Sequence, residues 1–256
     1  MGILHPATNA VGGRRGGVLY IHPFAEEMNK SRRMAALTAR AFADEGFDVL
    51  LMDLLGCGDS SGDFGDATWE AWLDDVEAGW QWLAARGGGS IWLWGLRVGS
   101  LLAAASASRR GLTCSLLFWQ PVALGHSFVV HLLRSKVMRD TFGRHEDRST
   151  TEGLLDALAA GNSVDVGGYT LSPDLVLPLD SLSIPMPPDR SVVRWVDISD
   201  RDDAVLSPAA QATIAAWQAK GVDVVSLTVT GPPFWQTQEI SECTTLIRTS
   251  VSLLIT

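Results

Sequence analysis

Cysteine is scarce in this chain: three residues among 256, Cys57, Cys114 and Cys243, odd in number and far apart. That excludes a disulfide framework and a Cys-x-x-Cys zinc site, and it suits a reducing, cytoplasmic setting. Positive charge is short as well, with 20 Lys and Arg against 29 Asp and Glu and a net charge of −9. A diffuse acidic surface argues against nucleic acid or an anionic membrane as the main partner. No apolar run reaches the roughly 18 uncharged residues that read as a membrane span. The stretch from Met1 to Gly17 lacks an apolar core of signal-peptide length, so no targeting segment is expected. Met1-Gly2 opens as a myristoylation signal does, but Pro6 stands where that signal needs Ser or Thr. Histidine is the shortage with the largest consequence. There are five, His5, His22, His126, His131 and His145, and none follows His145.

What is present points to an ordered globule. Apolar residues make up 46% and charged residues 19%, and a chain of this size can bury about 70–75% of its unfolded surface without disulfide or metal staples. Strand-like and helix-like segments alternate. Val18–Ile21, Val49–Met52, Ile91–Trp94, Leu112–Trp119, Val192–Ile198 and Val222–Val229 read as strands. Ser31–Glu45, a helix opened by Thr68, Val98–Ala107, Pro208–Lys220 and Ile240–Ile255 read as helices, several stopped by Gly. Continuous apolar strands between helices mean a mostly parallel sheet covered on both faces, an α/β fold. Residues 122–190 interrupt the rhythm with helical pieces at Phe128–Arg139 and Thr151–Ala160 and a Pro-rich exit. The expected organisation is a core of residues 1–121 and 191–256 with a helical cap of residues 122–190. The Gly cluster at 12–17 reads as a loop, and strands ahead of Val18 are expected to be reduced or absent.

Ligands of such sheets sit beyond the carboxyl ends of the strands. Those ends carry His22-Pro-Phe-Ala-Glu-Glu-Met-Asn29, Asp53-Leu-Leu-Gly-Cys-Gly-Asp-Ser-Ser-Gly62, Gly95-Leu-Arg-Val-Gly99, Gln120-Pro121, Asp200-Arg-Asp-Asp203 and Gly231-Pro-Pro-Phe-Trp-Gln236. The series resembles the α/β-hydrolase superfamily over nearly the whole chain. The resemblance implies that His22-Pro-Phe24 forms part of an oxyanion hole. It makes Gly95–Gly99 the Gly-x-Ser-x-Gly nucleophile elbow and puts a triad acid at Asp200, Asp202 or Asp203. Four runs, His22–Arg33, Gly56–Phe64, Gly168–Pro173 and Phe234–Ile240, resemble the exosortase A system-associated hydrolase 2 family. Its bacterial members are encoded near exosortase and exopolysaccharide genes.

The elbow, however, carries Arg97. A triad Ser works because a His takes its proton; a guanidinium stays protonated and has no such role. The triad His should follow the last strand, where Pro232-Pro-Phe-Trp235 stands instead. Ser60, Ser100 and Ser127 are other possible nucleophiles, and Cys57 with His22 or His126 a further one. A buried Arg97 needs a carboxylate, with Glu26, Glu27, Asp200, Asp202 and Asp203 as candidates. Arg97 also offers a fork matched to a carboxylate or phosphate, at a helix N-terminus that favours anions. Arg97, Asp202 and Glu26 are therefore the expected catalytic residues. His22, Phe24, Leu96, Val98, Trp119 and Trp235 are the expected binding residues. No metal and no cofactor is expected. Three readings follow: an ester or thioester hydrolase with a non-standard site, a catalytically silent relative binding a small acyl or anionic molecule, and a scaffold. The sequence leaves the oligomeric state open.

Overall fold

The computed structural model describes residues 1–8, 13–142 and 150–255; Gly12 and His145 lie outside them. Seven strands form one sheet: β1 (Gly2–His5), β2 (Gly16–Ile21), β3 (Phe47–Met52), β4 (Ser90–Leu96), β5 (Ser115–Trp119), β8 (Val192–Ser199) and β9 (Asp223–Thr230). Their order is β1-β3-β2-β4-β5-β8-β9. Every pairing is parallel except that of β1 with β3. All six residues of β2 are buried, as expected of a strand covered on both faces.

Alternation along the strands sorts the core into two layers. Trp94, Leu117, Trp119 and Val196 face α1 (Glu26–Asp44) and α8 (Thr244–Ile255), packing with Phe42 and Leu246. Leu93, Leu116 and Trp195 face α2 (Trp69–Ala85), α3 (Val98–Arg110) and α7 (Pro208–Gln218), packing with Val76, Leu101 and Ile214. Thr68 caps α2 by accepting a bond from the Ala71 N–H at 3.1 Å. Between β5 and β8 lie α4 (Gly125–Phe142), α5 (Thr151–Ala159), a hairpin of β6 (Val164–Val166) and β7 (Tyr169–Leu171), and α6 (Pro173–Asp180). The hairpin is anchored to the sheet domain through Tyr169, whose ring meets Phe64 edge-on at 5.3 Å.

Four details differ from the sequence reading. A strand does precede Val18: β1 pairs antiparallel with β3, Ile3 opposite Leu51. The fourth predicted strand begins at Ser115, because the Leu112 N–H closes the end of α3 on the Ala107 carbonyl. The last helix starts at Thr244, leaving Ile240 exposed. The first helix starts five residues early, at Glu26, and that brings Glu26 and Glu27 into its first turn.

The turn from β4 into α3 is made by close approach. A Cβ on Gly99 would run into the carbonyl oxygen of Ile21, and one on Gly95 into the backbone of Gly99 and Ser100. Glycine at both positions lets α3 start directly against the ends of β2 and β4. Gly99→Ala is expected to lower stability by about 1–3 kcal/mol through overpacking. It should appear as a fall in the urea midpoint at unchanged slope; wild-type stability in this variant would contradict the packing described.

Candidate active-site cleft

Arg97 stands at the apex of that turn with φ 56° and ψ −121°, a strained conformation for a residue with a side chain. It is fixed from three sides. Its N–H donates to the Trp119 carbonyl at 2.9 Å, and its own carbonyl accepts from Ser100 at 3.0 Å and Val122 at 3.4 Å. This is the geometry of a nucleophile elbow, occupied by a guanidinium. Ala25, which closes the His22-Pro-Phe24 loop and opens α1, adopts almost the same angles, φ 47° and ψ −124°.

The partner of Arg97 is Glu27, with Nε 3.3 Å from Oε1 and both side chains about one-fifth exposed. Burial pushes the Glu27 carboxyl above its usual range, and the charge of Arg97 and the hydrogen bond it donates oppose that rise. Glu27 Oε2 is buried with no hydrogen-bond partner among the described residues. The guanidinium also lies over two rings, 5.7 Å from the centroid of Trp235 and 6.0 Å from that of Phe128, within cation–π reach. Trp235 thus occupies the neighbourhood where the fold would present a triad His.

Two adjoining hollows open here. One, of about 350 Å³, is lined by Phe24, Glu27, Phe128, His131, Tyr169 and Gln236 among others. The other, of about 480 Å³, takes in Arg97, Val122, Ser127, Phe128, His131 and Gln236. Phe128, His131 and Gln236 belong to both, so the two form one cleft between α1, α4 and the loop after β9. Its floor is aromatic, and Phe24 is held edge-on by Phe64, Trp72 and Phe128.

Glu26 lines the same cleft at its exposed side, where it accepts from Tyr169 Oη at 3.3 Å and Asn29 Nδ2 at 3.4 Å, so it ties the hairpin to α1 and leaves Arg97 to Glu27. Several other residues singled out in the sequence sit elsewhere. Asp202 accepts from Thr230 Oγ1 at 2.9 Å and Asp203 pairs with Arg201, both on an exposed loop with Asp200. The half-buried acid on this strand is Asp197, inside β8. It accepts from Trp195 Nε1 at 2.9 Å, and burial raises its carboxyl while Arg97 opposes the rise. His22 is fully engaged: Nδ1 donates to the Pro23 carbonyl at 2.8 Å and Nε2 accepts the Leu54 N–H at 3.2 Å. Burial lowers its pKa, so it is a neutral ring that ties two loops together and has no free nitrogen for a substrate.

Trp119 is no cleft wall. It is wholly buried against α8, donates to Ser250 Oγ at 2.8 Å and packs on Trp94 and Phe234. Leu96 and Val98 are buried to either side of the sheet and contribute only backbone to the elbow. The alternative nucleophiles fare no better. Ser100 Oγ donates to the Gly95 carbonyl at 2.7 Å and Ser60 Oγ to the Asp53 carbonyl at 2.6 Å. Burial pushes the Cys57 thiol up to about 12, away from a thiolate. Ser127 does reach the cleft, on its exposed rim. Sequence reasoning missed His131, Gln236 and Asp197; only Asp197 left a signal, as an acid inside an apolar strand. Among the described residues no cluster of three or more His, Cys, Asp or Glu could hold a metal, and no helix is long and apolar enough to cross a membrane.

The parallel sheet with its antiparallel first strand, the helices on both faces and the strained turn after the central strand are those of the α/β-hydrolase fold. The model of a family described as serine aminopeptidase, S33, matches residues 12–127. Among solved structures, Est1E from Butyrivibrio proteoclasticus with ferulic acid bound is similar over 100% of this chain and 94% of its own, at TM-score 0.69 and 17% identity. The Paleococcus ferrophilus monoacylglycerol lipase is similar over 100% and 98%, at TM-score 0.60 and 16% identity. A thermostable carboxyl esterase from Bacillus coagulans, solved with glycerol, is similar over 99% and 93%, at TM-score 0.63 and 12% identity. No curated protein matches the sequence.

Removing Arg97 leaves the Glu27 carboxyl alone in its pocket. A group whose folded-state pKa lies above its unfolded value stabilises fully below the unfolded pKa, and that stability is lost as pH rises through the folded pKa. Arg97→Ala should raise the Glu27 pKa further. Its stability deficit against wild type should be small near pH 4 and grow to about 1–3 kcal/mol at neutral pH. Denaturant unfolding at several pH values checks this: adding Glu27→Gln to Arg97→Ala should flatten the difference, and a pH-independent deficit would refute the pairing.

Proposed function

We propose that this protein is an α/β-hydrolase relative that no longer performs serine hydrolysis and instead binds a small acyl molecule bearing a carboxylate or other anionic group at Arg97. One observation carries the reading: the elbow apex, where the fold aims a nucleophile, holds a guanidinium in an aromatic cage. Its only ion-pair partner among the described residues is Glu27, and Trp235 stands in for the base. Arg97 supplies a planar fork for an oxyanion, the first turn of α3 adds outward-facing N–H groups, and the aromatic cleft supplies the apolar wall. Loss of a triad Ser alone costs on the order of 10⁶ in turnover in a model protease, and here Ser and His are both gone.

A second reading keeps hydrolysis, of an ester or thioester. The specific observation behind it is Glu27, whose raised carboxyl pKa and unpartnered Oε2 suit a general base for water beside a cation that polarises the substrate. The esterase and lipase structures of like fold support that class of chemistry. The four runs that resemble the exosortase A system-associated hydrolase 2 family support a part in an exosortase or exopolysaccharide system; the net charge of −9 speaks against a nucleic acid partner, and the three scattered cysteines suit a cytoplasmic location.

The test pairs turnover with binding. On p-nitrophenyl acetate and butyrate the protein should show no hydrolysis above buffer. Hexanoate and benzoate should raise the Tm with the logarithm of their concentration, by roughly 3–5 °C at ten times Kd, and Arg97→Ala should abolish the rise. Turnover that disappears in both Arg97→Ala and Glu27→Gln would overturn the silent reading in favour of the second.

A further inference from the structure

The cleft carries opposite charges at its two ends. Arg97 lines one hollow and Glu26 the other, while Phe128, His131 and Gln236 line both. Each end is placed by a strand-to-helix turn: Arg97 by the turn into α3, and Glu26 by the first residue of α1. The wall near Glu26 is largely aromatic, with Phe24 held edge-on by Phe64 and Phe128.

Glu26 differs from Glu27 in having no cation. Its Oε2 accepts from two neutral donors, Tyr169 Oη and Asn29 Nδ2, and among the described residues no ion pair reaches it, not even from Lys30 one turn along α1. The other bases of this stretch are spent elsewhere, Arg32 on Asp53 and Arg33 on Glu242. Tyr169 Oη also accepts from Asn29 at 2.9 Å, so a closed triangle of hydrogen bonds holds the Glu26 carboxylate at the wall. The Tyr169 and Phe24 rings line the same hollow, and aromatic rings attract an ammonium.

The balance of charge favours a ligand of both signs. His131 apart, the charged side chains of the described lining are two carboxylates and one guanidinium. The cleft is therefore negative by one charge before a ligand enters. A simple carboxylate would add a second in a partly desolvated space, where like charges repel strongly. A ligand that brings its own cation leaves the total unchanged and meets each end with the opposite sign.

We propose that the ligand of this cleft is a zwitterion, an amino acid whose amine and carboxylate are separated by a short apolar chain. Its carboxylate lies at Arg97, its chain runs past Phe128 and Phe24, and its ammonium lies at Glu26. The proposal rests on the reading that Arg97 holds a carboxylate, and it adds the second recognition point.

The full chain is titrated with 6-aminohexanoate, hexanoate and hexylamine and followed by ¹H–¹⁵N chemical shifts. Shorter and longer spans are covered by 4-aminobutyrate and 8-aminooctanoate, each beside its amine-free acid. The amino acid should bind roughly 3- to 5-fold more tightly than hexanoate, the scale of one partly exposed ion pair, and the advantage should shrink as salt is raised. Glu26→Gln should erase the advantage without weakening hexanoate, and Arg97→Ala should abolish binding of both acids. The proposal fails if no amino acid of the three lengths outbinds its amine-free acid, or if the advantage survives in Glu26→Gln. It fails equally if hexylamine binds as tightly as 6-aminohexanoate and is indifferent to Arg97→Ala, which would make the cleft a plain cation site. Hexanoate that binds through Arg97 with no gain from an amine would sink this inference alone; loss of Arg97-dependent binding by every acid would sink the anion reading with it.

Discussion

The structure turns on one backbone constraint, the close approach of the β4–α3 turn to the end of β2. Gly95 and Gly99 remove the two Cβ atoms that would forbid it, and residue 97 is driven to a positive φ as a result. The same conformation recurs one strand away at Ala25, where β2 gives way to α1. Each such residue costs on the order of 1–3 kcal/mol and persists only where the surroundings over-determine it. Here the surroundings are the sheet itself: the amide of residue 97 is tied to the Trp119 carbonyl on β5. The turn is therefore a property of the fold, and it aims whatever side chain it carries toward the cleft. Glu27 meets Arg97 because two strained turns at the ends of neighbouring strands launch two helices side by side.

Given that constraint, the identity of the side chain decides the chemistry. A serine at the apex would need a base, and the loop after β9 supplies Trp235 while His22 spends both nitrogens on loop backbone. An arginine at the apex needs a counter-charge and gets one at 3.3 Å. The aromatic faces of Phe128 and Trp235 add attraction without competing hydrogen bonds, while the guanidinium stays about one-fifth exposed and within reach of an anion entering the cleft. Glu27 and the two aromatic rings thus answer the demands of a cation at the apex.

Much of this was legible in sequence, and the limits have physical causes. Alternating apolar strands and helices gave the sheet, because burial on both faces leaves a continuous apolar run. The resemblance of Gly95–Gly99 to the Gly-x-Ser-x-Gly motif placed the elbow, and the close approaches at Gly95 and Gly99 explain why glycine stands at both ends. Side-chain direction was not legible. Trp119 stands at a strand end, which suggested a cleft wall, but it pairs with Leu96 across the ladder and shares the parity of the residues that face α8. Asp202 follows its strand as a triad acid does, yet the loop carries it outward to Thr230. Glu26 and Glu27 are adjacent in sequence and 100° apart on a helix, and only the true start of α1 at Glu26 tells which one faces the elbow. His131 and Gln236 join the cleft through the packing of α4 and the loop after β9, a long-range result that no local pattern encodes. β1 escaped notice because four residues on an edge, half of them exposed, carry little apolar signal.

The Arg97–Glu27 pair also constrains how an anion would enter. Arg97 cannot hold a second carboxylate at full strength while Glu27 remains charged beside it, since two negative groups would share one cation in a partly desolvated cleft. The conflict resolves if Glu27 takes up a proton as the ligand arrives. Its carboxyl is already displaced upward by burial, and exchanging the guanidinium for a ligand removes the interaction that holds it charged. Anion binding and proton uptake then become one linked event, with affinity rising as pH falls toward the Glu27 pKa. The same linkage separates the two functional readings. A base must be charged to work, so hydrolysis through Glu27 would weaken as pH falls through that pKa, over the range in which binding at Arg97 would strengthen.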